Sequence, residues 1–288
     1  MLCSVIVPTY NRSQLLAHTL ESLCNQTLPA TMFEVLVIDD GSSDDTAEVV
    51  ETFSGRLQIK YWFQEDRGYR VAAARNIGIK QAQAAICVFV DSGVLVVADF
   101  LHQHISSHLM NPDAAVTGYV FGFNEDNEDA VAIRSMIDVD DVDQSVASMR
   151  QAGHHLDIRE SFYQRYGEQL SILPAPWVMY WTCNVSARKD RLLDAGLFDE
   201  HFTSWGAEDI DLAYRLFQGG SQFVLNRQAA AIHYPHDKSY ESNMASAAGN
   251  YQYFARKYNN PICDLVPDHH FDDINDIILE KKLSVEVE

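Results

Sequence analysis

The stretch of the sequence richest in chemistry is residues 204–212, which reads Ser-Trp-Gly-Ala-Glu-Asp-Ile-Asp-Leu. Gly206 predicts a narrow bend behind the flat ring of Trp205, and Glu208 and Asp209 open a predicted helix. Two carboxylates at a helix start beside an aromatic ring can hold a polyol and remove a proton from it. The helix dipole also favours acids in any first turn, so this stretch alone leaves a catalytic and a purely structural interpretation open.

The charge of the chain excludes some partners. Its 288 residues are 47% hydrophobic and carry a net charge of -20, which predicts a globular protein and argues against nucleic acid or an anionic membrane surface as a partner. Residues 124–157 carry nine acids and two Arg, and residues 264–288 carry eight acids and two Lys. These two segments therefore hold -13 of the net charge. Solvation of exposed segments explains this most simply, and attraction of a cationic acceptor is the alternative.

The cysteines and the apolar runs of the sequence indicate in which cellular compartment we expect the protein. Five scattered Cys residues show neither metal-binding spacing nor a disulfide framework. A strand is predicted within three residues of Met1, so we expect no signal peptide. The longest apolar stretch, residues 84–101, is interrupted by Asp91 and Asp99, which a membrane span would not carry. We therefore expect a cytoplasmic protein without an integral membrane segment.

Strand and helix patterns alternate in the first part of the chain. Strands are predicted at residues 3–8, 34–38, 57–63 and 86–90, and helices between them, the first of them capped by Asn11. This alternation predicts a parallel sheet with helices on both faces. Ligands bind outside the carboxyl ends of such strands, where the polar residues Thr9, Tyr10, Asp39, Asp40 and Asp91 would gather.

The second part of the chain is less regular. A strand at residues 115–123 precedes an acidic stretch that continues to about residue 157 and that we expect to be mostly exposed, as an insertion or lid. Further strands are predicted at residues 178–187, 221–224 and 229–233, and helices at 188–195 and 240–257, before an acidic tail. One compact domain with an insertion fits this pattern better than two independent domains.

Several motifs together resemble one enzyme family. Residues 4–12 read Ser-Val-Ile-Val-Pro-Thr-Tyr-Asn-Arg, residues 37–46 read Val-Ile-Asp-Asp-Gly-Ser-Ser-Asp-Asp-Thr, and residues 73–78 read Ala-Ala-Arg-Asn-Ile-Gly. With the stretch around residue 205, they resemble the inverting, nucleotide-sugar-dependent glycosyltransferases of family 2, over residues 4 to about 236. The resemblance implies an α/β GT-A (nucleotide-diphospho-sugar transferase) fold with a mainly parallel central sheet. It also divides the chain into a nucleotide-sugar-binding half (1–123), an acidic insertion or lid (124–176), an acceptor and catalytic half (177–263) and an acidic tail (264–288).

The resemblance assigns the nucleotide site. It implies that Asp39 or Asp40 binds uracil or ribose and that Arg75 approaches the diphosphate or the ribose. Turn formation by Asp-Gly-Ser and a plain surface role for Arg75 are the alternatives. The full set implied for the nucleotide is Pro8, Thr9, Tyr10, Arg12, Asp39, Asp40, Arg75 and Asp91.

The sequence departs from the family at Asp91-Ser92-Gly93. The family has Asp-x-Asp there, and it binds a divalent cation between the phosphates. Gly93 removes one oxygen ligand, which weakens a site for Mn²⁺ or Mg²⁺. The resemblance implies Asp91 and His233 as metal ligands, although a histidine at a strand end is also a common structural residue.

The acceptor half resembles the galactosyl- and N-acetylhexosaminyl-transferring branch of the family. The resemblance implies Asp209 as the general base, Glu208 as a ligand of the acceptor or donor sugar, and Trp205 as a surface that stacks on a pyranose. Asp211 is interpreted as a helix-surface acid. Trp181, Asn184 and Gly206 complete the implied acceptor or sugar site.

The resulting hypothesis is an inverting transfer from a nucleotide sugar, most simply a UDP-sugar, to an acceptor that the sequence does not identify. A saccharide, a natural product and a peptide all remain open. A nucleotidyltransferase fits less well, because residues 8–12 lack a Gly-rich basic phosphate loop. A degenerate nucleotide-sugar-binding protein stays open because of Gly93, and the oligomeric state is undetermined.

Overall fold

The computed structural model describes residues 1–123, 129–237 and 239–284. The described residues form one eight-stranded sheet with helices packed around it. The strands are β1 (Cys3–Thr9), β2 (Phe33–Asp39), β3 (Ile59–Phe63), β4 (Ile86–Val90), β5 (Val94–Val96), β6 (Ala114–Phe121), β7 (Asn184–Arg188) and β8 (Gln222–His233). The longer helices are α1 (Ser13–Cys24), α2 (Thr46–Thr52), α3 (Val71–Gln81), α4 (Phe100–Met110), α5 (Ala130–Ser135), α6 (Val142–Ala152), α7 (Glu160–Tyr166), α8 (Lys189–Asp194), α9 (Glu208–Gln218), α10 (Tyr240–Tyr258) and α11 (Phe271–Lys281).

The strand order is β3-β2-β1-β4-β7-β6-β8-β5. Strands β1 to β4 run parallel, β7 is antiparallel to both β4 and β6, and β5 is antiparallel to β8. The predicted α/β architecture with a mainly parallel sheet is confirmed. Every residue of β1 and β2 is buried, as expected for strands covered on both faces.

The parallel register aligns the polar residues that follow the first strands. Thr9 at the end of β1 pairs with Asp39 at the end of β2. Helix α3 packs closely against β1, since a Cβ added at Gly78 would lie 2.5 Å from Ile6. This close approach fixes the position of Arg75, which lies one turn earlier on the same helix.

The predicted cap of the first helix is wrong. Asn11 adopts a left-handed conformation (φ 48°), and its Oδ1 accepts a hydrogen bond from the Ser43 N–H instead. The N–H of Ser13, at the start of α1, donates to Asp44 Oδ2 at 3.0 Å. The loop after β2 therefore caps α1. This contact brings the motif at residues 4–12 next to the motif at residues 37–46.

Three predicted elements differ from the structure. Residues 178 and 179 belong to a short 3-10 helix (Pro176–Met179) rather than to a strand, and β7 begins only at Asn184. The two short strands predicted at residues 221–224 and 229–233 are one continuous strand, β8. Its pairing with β6 shifts register between Gly118 and Tyr119, so residues 227–229 are accommodated as an irregularity within a strand.

The acidic segment is more ordered than expected. Residues 124–128 lie outside the described part. Most positions between residues 129 and 157 are exposed or half-buried, as predicted, but helices α5 and α6 form there, and α7 follows. Met149, Phe162 and Tyr163 are buried in the core. Asp157 and Arg159 form a buried ion pair at 2.7 Å, and Arg159 also donates to the carbonyl of Gly118. This pair connects the segment to β6, since Asp157 Oδ2 also accepts a hydrogen bond from the Val120 N–H.

The predicted acidic tail also contains a packed helix. Ile274 and Ile278 of α11 are buried. The amide of Asn275 forms hydrogen bonds with both the N–H and the carbonyl of Ala175. The acids of α11 lie on its outer face, so composition alone concealed an amphipathic helix. No helix within residues 1–123, 129–237 and 239–284 is long and apolar enough to span a membrane.

Candidate active site

A cleft of about 560 Å³ opens where the polar ends of β1, β2 and β4 face the start of α9. At what we call its nucleotide end it is lined by Pro8, Thr9, Tyr10, Arg12 and Asp40. What we call its acceptor end is lined by Trp181, Trp205, Gly206, Glu208, Asp209 and His233. Arg75 and Asp91 also line the cleft. Thirteen residues singled out from the sequence therefore share one cavity.

Asp39 does not line this cleft. It is buried, its Oδ1 accepts from the N–H groups of Gly41 and Ser42, and its Oδ2 accepts from the Tyr61 hydroxyl at 2.7 Å. Asp40 does line the cleft, and burial raises the pKa of its carboxyl. Of the two acids that the sequence left as alternatives, Asp39 shapes the turn and Asp40 faces the cavity.

Asn184 lies outside the cleft as well. It is fully buried, and its Nδ2 donates to the carbonyl of Ala229 at 2.9 Å and to that of Tyr119 at 3.3 Å. It lies so close to Gly118 that a Cβ there would overlap the amide. Asn184 therefore holds β6, β7 and β8 together, and its side chain has no free donor for a sugar.

Arg75 connects the two ends of the cleft. Its Nη1 donates to Glu208 Oε1 and its Nη2 to Asp91 Oδ1, both at 2.9 Å. The guanidinium is buried and lies over the ring of Phe198 at 5.5 Å. Each terminal nitrogen therefore donates to one carboxylate, while Nε has no hydrogen-bond partner among the described residues. One positive charge is shared between two negative charges that lie 117 residues apart in sequence.

Asp209 has the environment of a general base. It stands in the first turn of α9, after Ala207, which adopts a left-handed conformation (φ 73°). Burial, followed by the negative charge of Glu208, raises the pKa of the Asp209 carboxyl to about 7. A base whose pKa lies near the working pH transfers protons efficiently.

Asp211 was interpreted as a helix-surface acid, and that interpretation is wrong. Its side chain is fully buried and accepts from Lys257 Nζ at 2.6 Å, from the Tyr258 hydroxyl at 2.8 Å and from Arg215 Nη2 at 2.6 Å. Buried carboxylates require such pairing. Asp211 thus anchors α9, which carries Asp209, to α10.

Asn250 supports the Trp-Gly-Ala bend, a role that no sequence pattern predicts. Its Nδ2 lies 3.0 Å from the carbonyl oxygen of Ser204, 3.3 Å from that of Trp205 and 2.9 Å from that of Gly206. Asn250 lies between Gly249 and Tyr251 on a predicted helix, and nothing in that pattern distinguishes it from an ordinary surface residue. Only the packing of α10 against the bend reveals that this amide holds the loop in front of α9.

We expect Asn250→Asp to lower kcat about 100-fold, because a carboxylate facing three carbonyl oxygens repels the loop and misplaces the reacting groups. Steady-state kinetics beside a thermal melt measure this. Gln252→Glu makes the same amide-to-acid change at an exposed position of α10 and should leave both values unchanged. An Asn250→Asp variant with the wild-type kcat would show that the bend needs no such support.

The donor set at Asp91 does not form a preformed metal site. Among residues 1–123, 129–237 and 239–284, no three His, Cys, Asp or Glu side chains are grouped to hold a metal ion. Gly93 adopts φ 96°, and an added Cβ would face Leu15 of α1 at 3.5 Å. Its N–H donates to Thr19 Oγ1, and its carbonyl accepts from the Tyr234 N–H. The backbone at position 93 is therefore built into the core and suits glycine.

Restoring the Asp-x-Asp motif at position 93 should therefore not create a metal site. We expect Gly93→Asp to lower the free energy of unfolding by about 1–3 kcal/mol, because the left-handed backbone strains a side chain. It should not create Mn²⁺ binding, because the new side chain would point at α1. Titration calorimetry with Mn²⁺ and a thermal melt check both statements. Gly55→Asp, at an open position without positive φ, is the matched control, and tight Mn²⁺ binding by Gly93→Asp alone would contradict this account.

Comparison with known proteins gives the class. Residues 4–174 match the profile of glycosyl transferase family 2, and the chain belongs to that family. The chain is 38% identical, over 265 residues, to validoxylamine A glucosyltransferase of Streptomyces hygroscopicus subsp. jinggangensis (strain 5008). That match covers 92% of this chain but only 63% of the relative, so the relative is substantially longer.

Two solved structures share the fold. One is Staphylococcus aureus TarS 1–349 in complex with UDP-GlcNAc, with a TM-score of 0.66 and 21% identity, covering 97% of this chain and 71% of that one. The other is the Pyrobaculum calidifontis mannosyltransferase PcManGT in complex with GDP-Man and Mn²⁺, with a TM-score of 0.59 and 19% identity, covering 94% and 69%. The predicted GT-A fold is confirmed.

Proposed function

We propose that this chain is an inverting glycosyltransferase that moves a sugar from a UDP-sugar to an acceptor, with Asp209 as the general base. The observation that carries the proposal is the position of Asp209. It lies in the same cleft as the nucleotide end, in an environment that raises its pKa to about 7. Glu208, its neighbour, orients the sugar hydroxyls.

The nucleotide end has the groups that a uracil nucleotide needs. Thr9 Oγ1 is buried and has no hydrogen-bond partner among the described residues, so it is available to a ligand. Asp40 provides a carboxylate beside the Arg70 N–H, with which it forms a hydrogen bond of 2.7 Å. Uracil presents both a donor and an acceptor edge. The UDP-GlcNAc complex of TarS, which shares the fold, supports the choice of UDP.

The mechanism follows from this placement. Asp209 accepts the proton of the acceptor hydroxyl or amine while that atom attacks the anomeric carbon from the face opposite the diphosphate. The bond from the anomeric carbon to the phosphate oxygen breaks, UDP leaves, and the configuration inverts. Arg12 supplies positive charge near the departing diphosphate, and its Nη1 lies 3.3 Å from His236 Nε2. Arg75 keeps Asp91 and Glu208 in place on either side.

The proposed compartment is the cytoplasm. All five cysteines are free thiols, and four are buried. Burial raises the pKa of Cys3, Cys87 and Cys183 to about 12, so these thiols stay protonated and unreactive. A reducing compartment suits such a set of thiols.

Binding and turnover of nucleotides test this function. Calorimetric titration with UDP, GDP and TDP should show binding of UDP at least tenfold tighter than of the other two. UDP-sugars should be hydrolysed slowly in the absence of an acceptor, with release of UDP. Binding without any hydrolysis or transfer would favour the degenerate binding protein that the departure at Gly93 suggests. No UDP binding would overturn the proposal.

The raised pKa of Asp209 predicts the pH dependence of the reaction. The base acts in its deprotonated form, so kcat/KM should rise with pH and level off above an apparent pKa of about 7. Glu208→Gln removes a charge that raises this pKa, so the midpoint should move to lower pH even as the rate falls. A midpoint that stays fixed or rises in Glu208→Gln would contradict this assignment.

A further inference from the structure

We propose that the natural acceptor is a polyol that carries a protonated amine, recognised by the carboxylates at the acceptor end of the cleft. The inference rests on the proposed function, because it names the substrate class of the same site. Its basis is the charge of the cavity, the incomplete pairing of Glu208 and the aromatic surface beside it.

The cleft is acidic. Its lining contains five carboxylates, Asp40, Asp91, Glu208, Asp209 and Asp237, against two guanidinium groups, those of Arg12 and Arg75. Apart from Arg75, which is paired with Asp91 and Glu208, no Lys or Arg side chain of the described residues lines the cleft at its acceptor end. A sugar acid or a phosphorylated acceptor would therefore find like charges and no partner. Juxtaposed like charges strongly disfavour a complex.

The central ion pairs leave negative charge uncompensated. Arg75 carries one positive charge and pairs with two carboxylates, those of Asp91 and Glu208. Glu208 is 5% exposed, lines the cleft, and its Oε2 has no hydrogen-bond partner among the described residues. A buried carboxylate oxygen without a donor is costly unless a ligand supplies one. An ammonium group supplies both the missing donor and the missing charge.

The remaining acceptor-end surface suits the carbon skeleton of a sugar or cyclitol. Trp205 is 39% exposed and lines the cleft, and Trp181 lines it as well. Such rings pack on the C–H face of a polyol ring, while its hydroxyls reach the carboxylates. Asp237 is exposed, lines the cleft and adds a further negative charge there.

Four matched sugars test the inference on protein saturated with UDP. Dissociation constants are measured by ligand-observed NMR for glucosamine, glucose, N-acetylglucosamine and glucuronic acid, at a pH where the amine is protonated. Glucosamine should bind at least tenfold tighter than glucose and N-acetylglucosamine, and glucuronic acid should not bind. Raising the pH above the pKa of the amine should remove the preference.

A charge variant separates recognition from general stability. Asp237→Asn should weaken glucosamine binding severalfold and leave glucose binding unchanged, whereas Asp268→Asn, which removes an exposed acid outside the cleft lining, should change neither. Glucosamine binding that is absent or no tighter than that of glucose overturns the inference, and so does binding of glucuronic acid. Absence of UDP binding instead overturns the proposed function, so the two failures are distinguishable.

Discussion

Asp209→Asn should lower kcat by about 100- to 10,000-fold while UDP binds as tightly as in the wild type. The amide has nearly the shape of the carboxylate but cannot accept the proton of the acceptor, and general base catalysis contributes a factor of this size. The nucleotide end lies on other elements and is untouched by the change. Single-turnover transfer and calorimetric titration with UDP, performed on the same preparation, measure the two quantities.

The melting temperature of Asp209→Asn provides an internal control for this experiment. The folded state raises the pKa of Asp209 from 3.8 to about 7, so ionisation of this group weakens folding as pH rises between those values. The neutral variant should therefore melt at or above the wild-type temperature at pH 8. Asp194→Asn, an exposed acid on a different helix, should change neither rate nor melting temperature. Transfer at the wild-type rate by Asp209→Asn would remove this residue from the mechanism.

The sequence predicts well the features that depend on neighbouring residues. Apolar runs of five to seven residues followed by Thr9, Asp40 and Asp91 mark parallel strands, and the register of a parallel sheet brings their ends together without further information. The helix that begins at Glu208 was equally clear, since its bend, its acids and its apolar face are all local.

The features that the sequence missed depend on contacts between distant residues. Whether Asp39 or Asp40 faces the cleft is decided by the Tyr61 hydroxyl on a neighbouring strand. Asp211 has the spacing of an exposed helix position, and only α10 supplies the Lys257 that allows its burial. Acidic composition concealed helices α6 and α11, because their apolar residues occupy one narrow face and polar residues the rest.

Arg75 also makes contacts with distant residues that bear on its functional role. The resemblance implies that it approaches the diphosphate or ribose, which stays a prediction, and its guanidinium pairs with Asp91 and with Glu208, the neighbour of the proposed base Asp209. It also lowers the pKa of Asp209, against the larger effects of burial and Glu208 that raise it. The buried side chain of Arg75 therefore connects the nucleotide end of the cleft to its acceptor end, and we propose that Arg75 is a positioning residue.

Arg75→Met should lower the free energy of unfolding by about 3–5 kcal/mol, because removing one partner leaves buried carboxylates uncompensated. Arg75→Lys keeps the charge, but its single nitrogen cannot reach two carboxylates in the geometry of the fork. We expect the Lys variant to fold and to lose about 100-fold in kcat, with a smaller loss of stability. Chemical denaturation and steady-state kinetics measure both variants.

The pH profile separates positioning from simple loss of structure. In any Arg75→Met protein that remains folded, the activity midpoint should move to higher pH, because the positive charge that favours ionised Asp209 has been removed. Arg67→Met removes an exposed arginine just upstream of α3 and should leave the profile unchanged. If the midpoint stays in place while stability falls, Arg75 serves the fold alone; if it shifts as stated, the same guanidinium that joins Asp91 to Glu208 also adjusts the base.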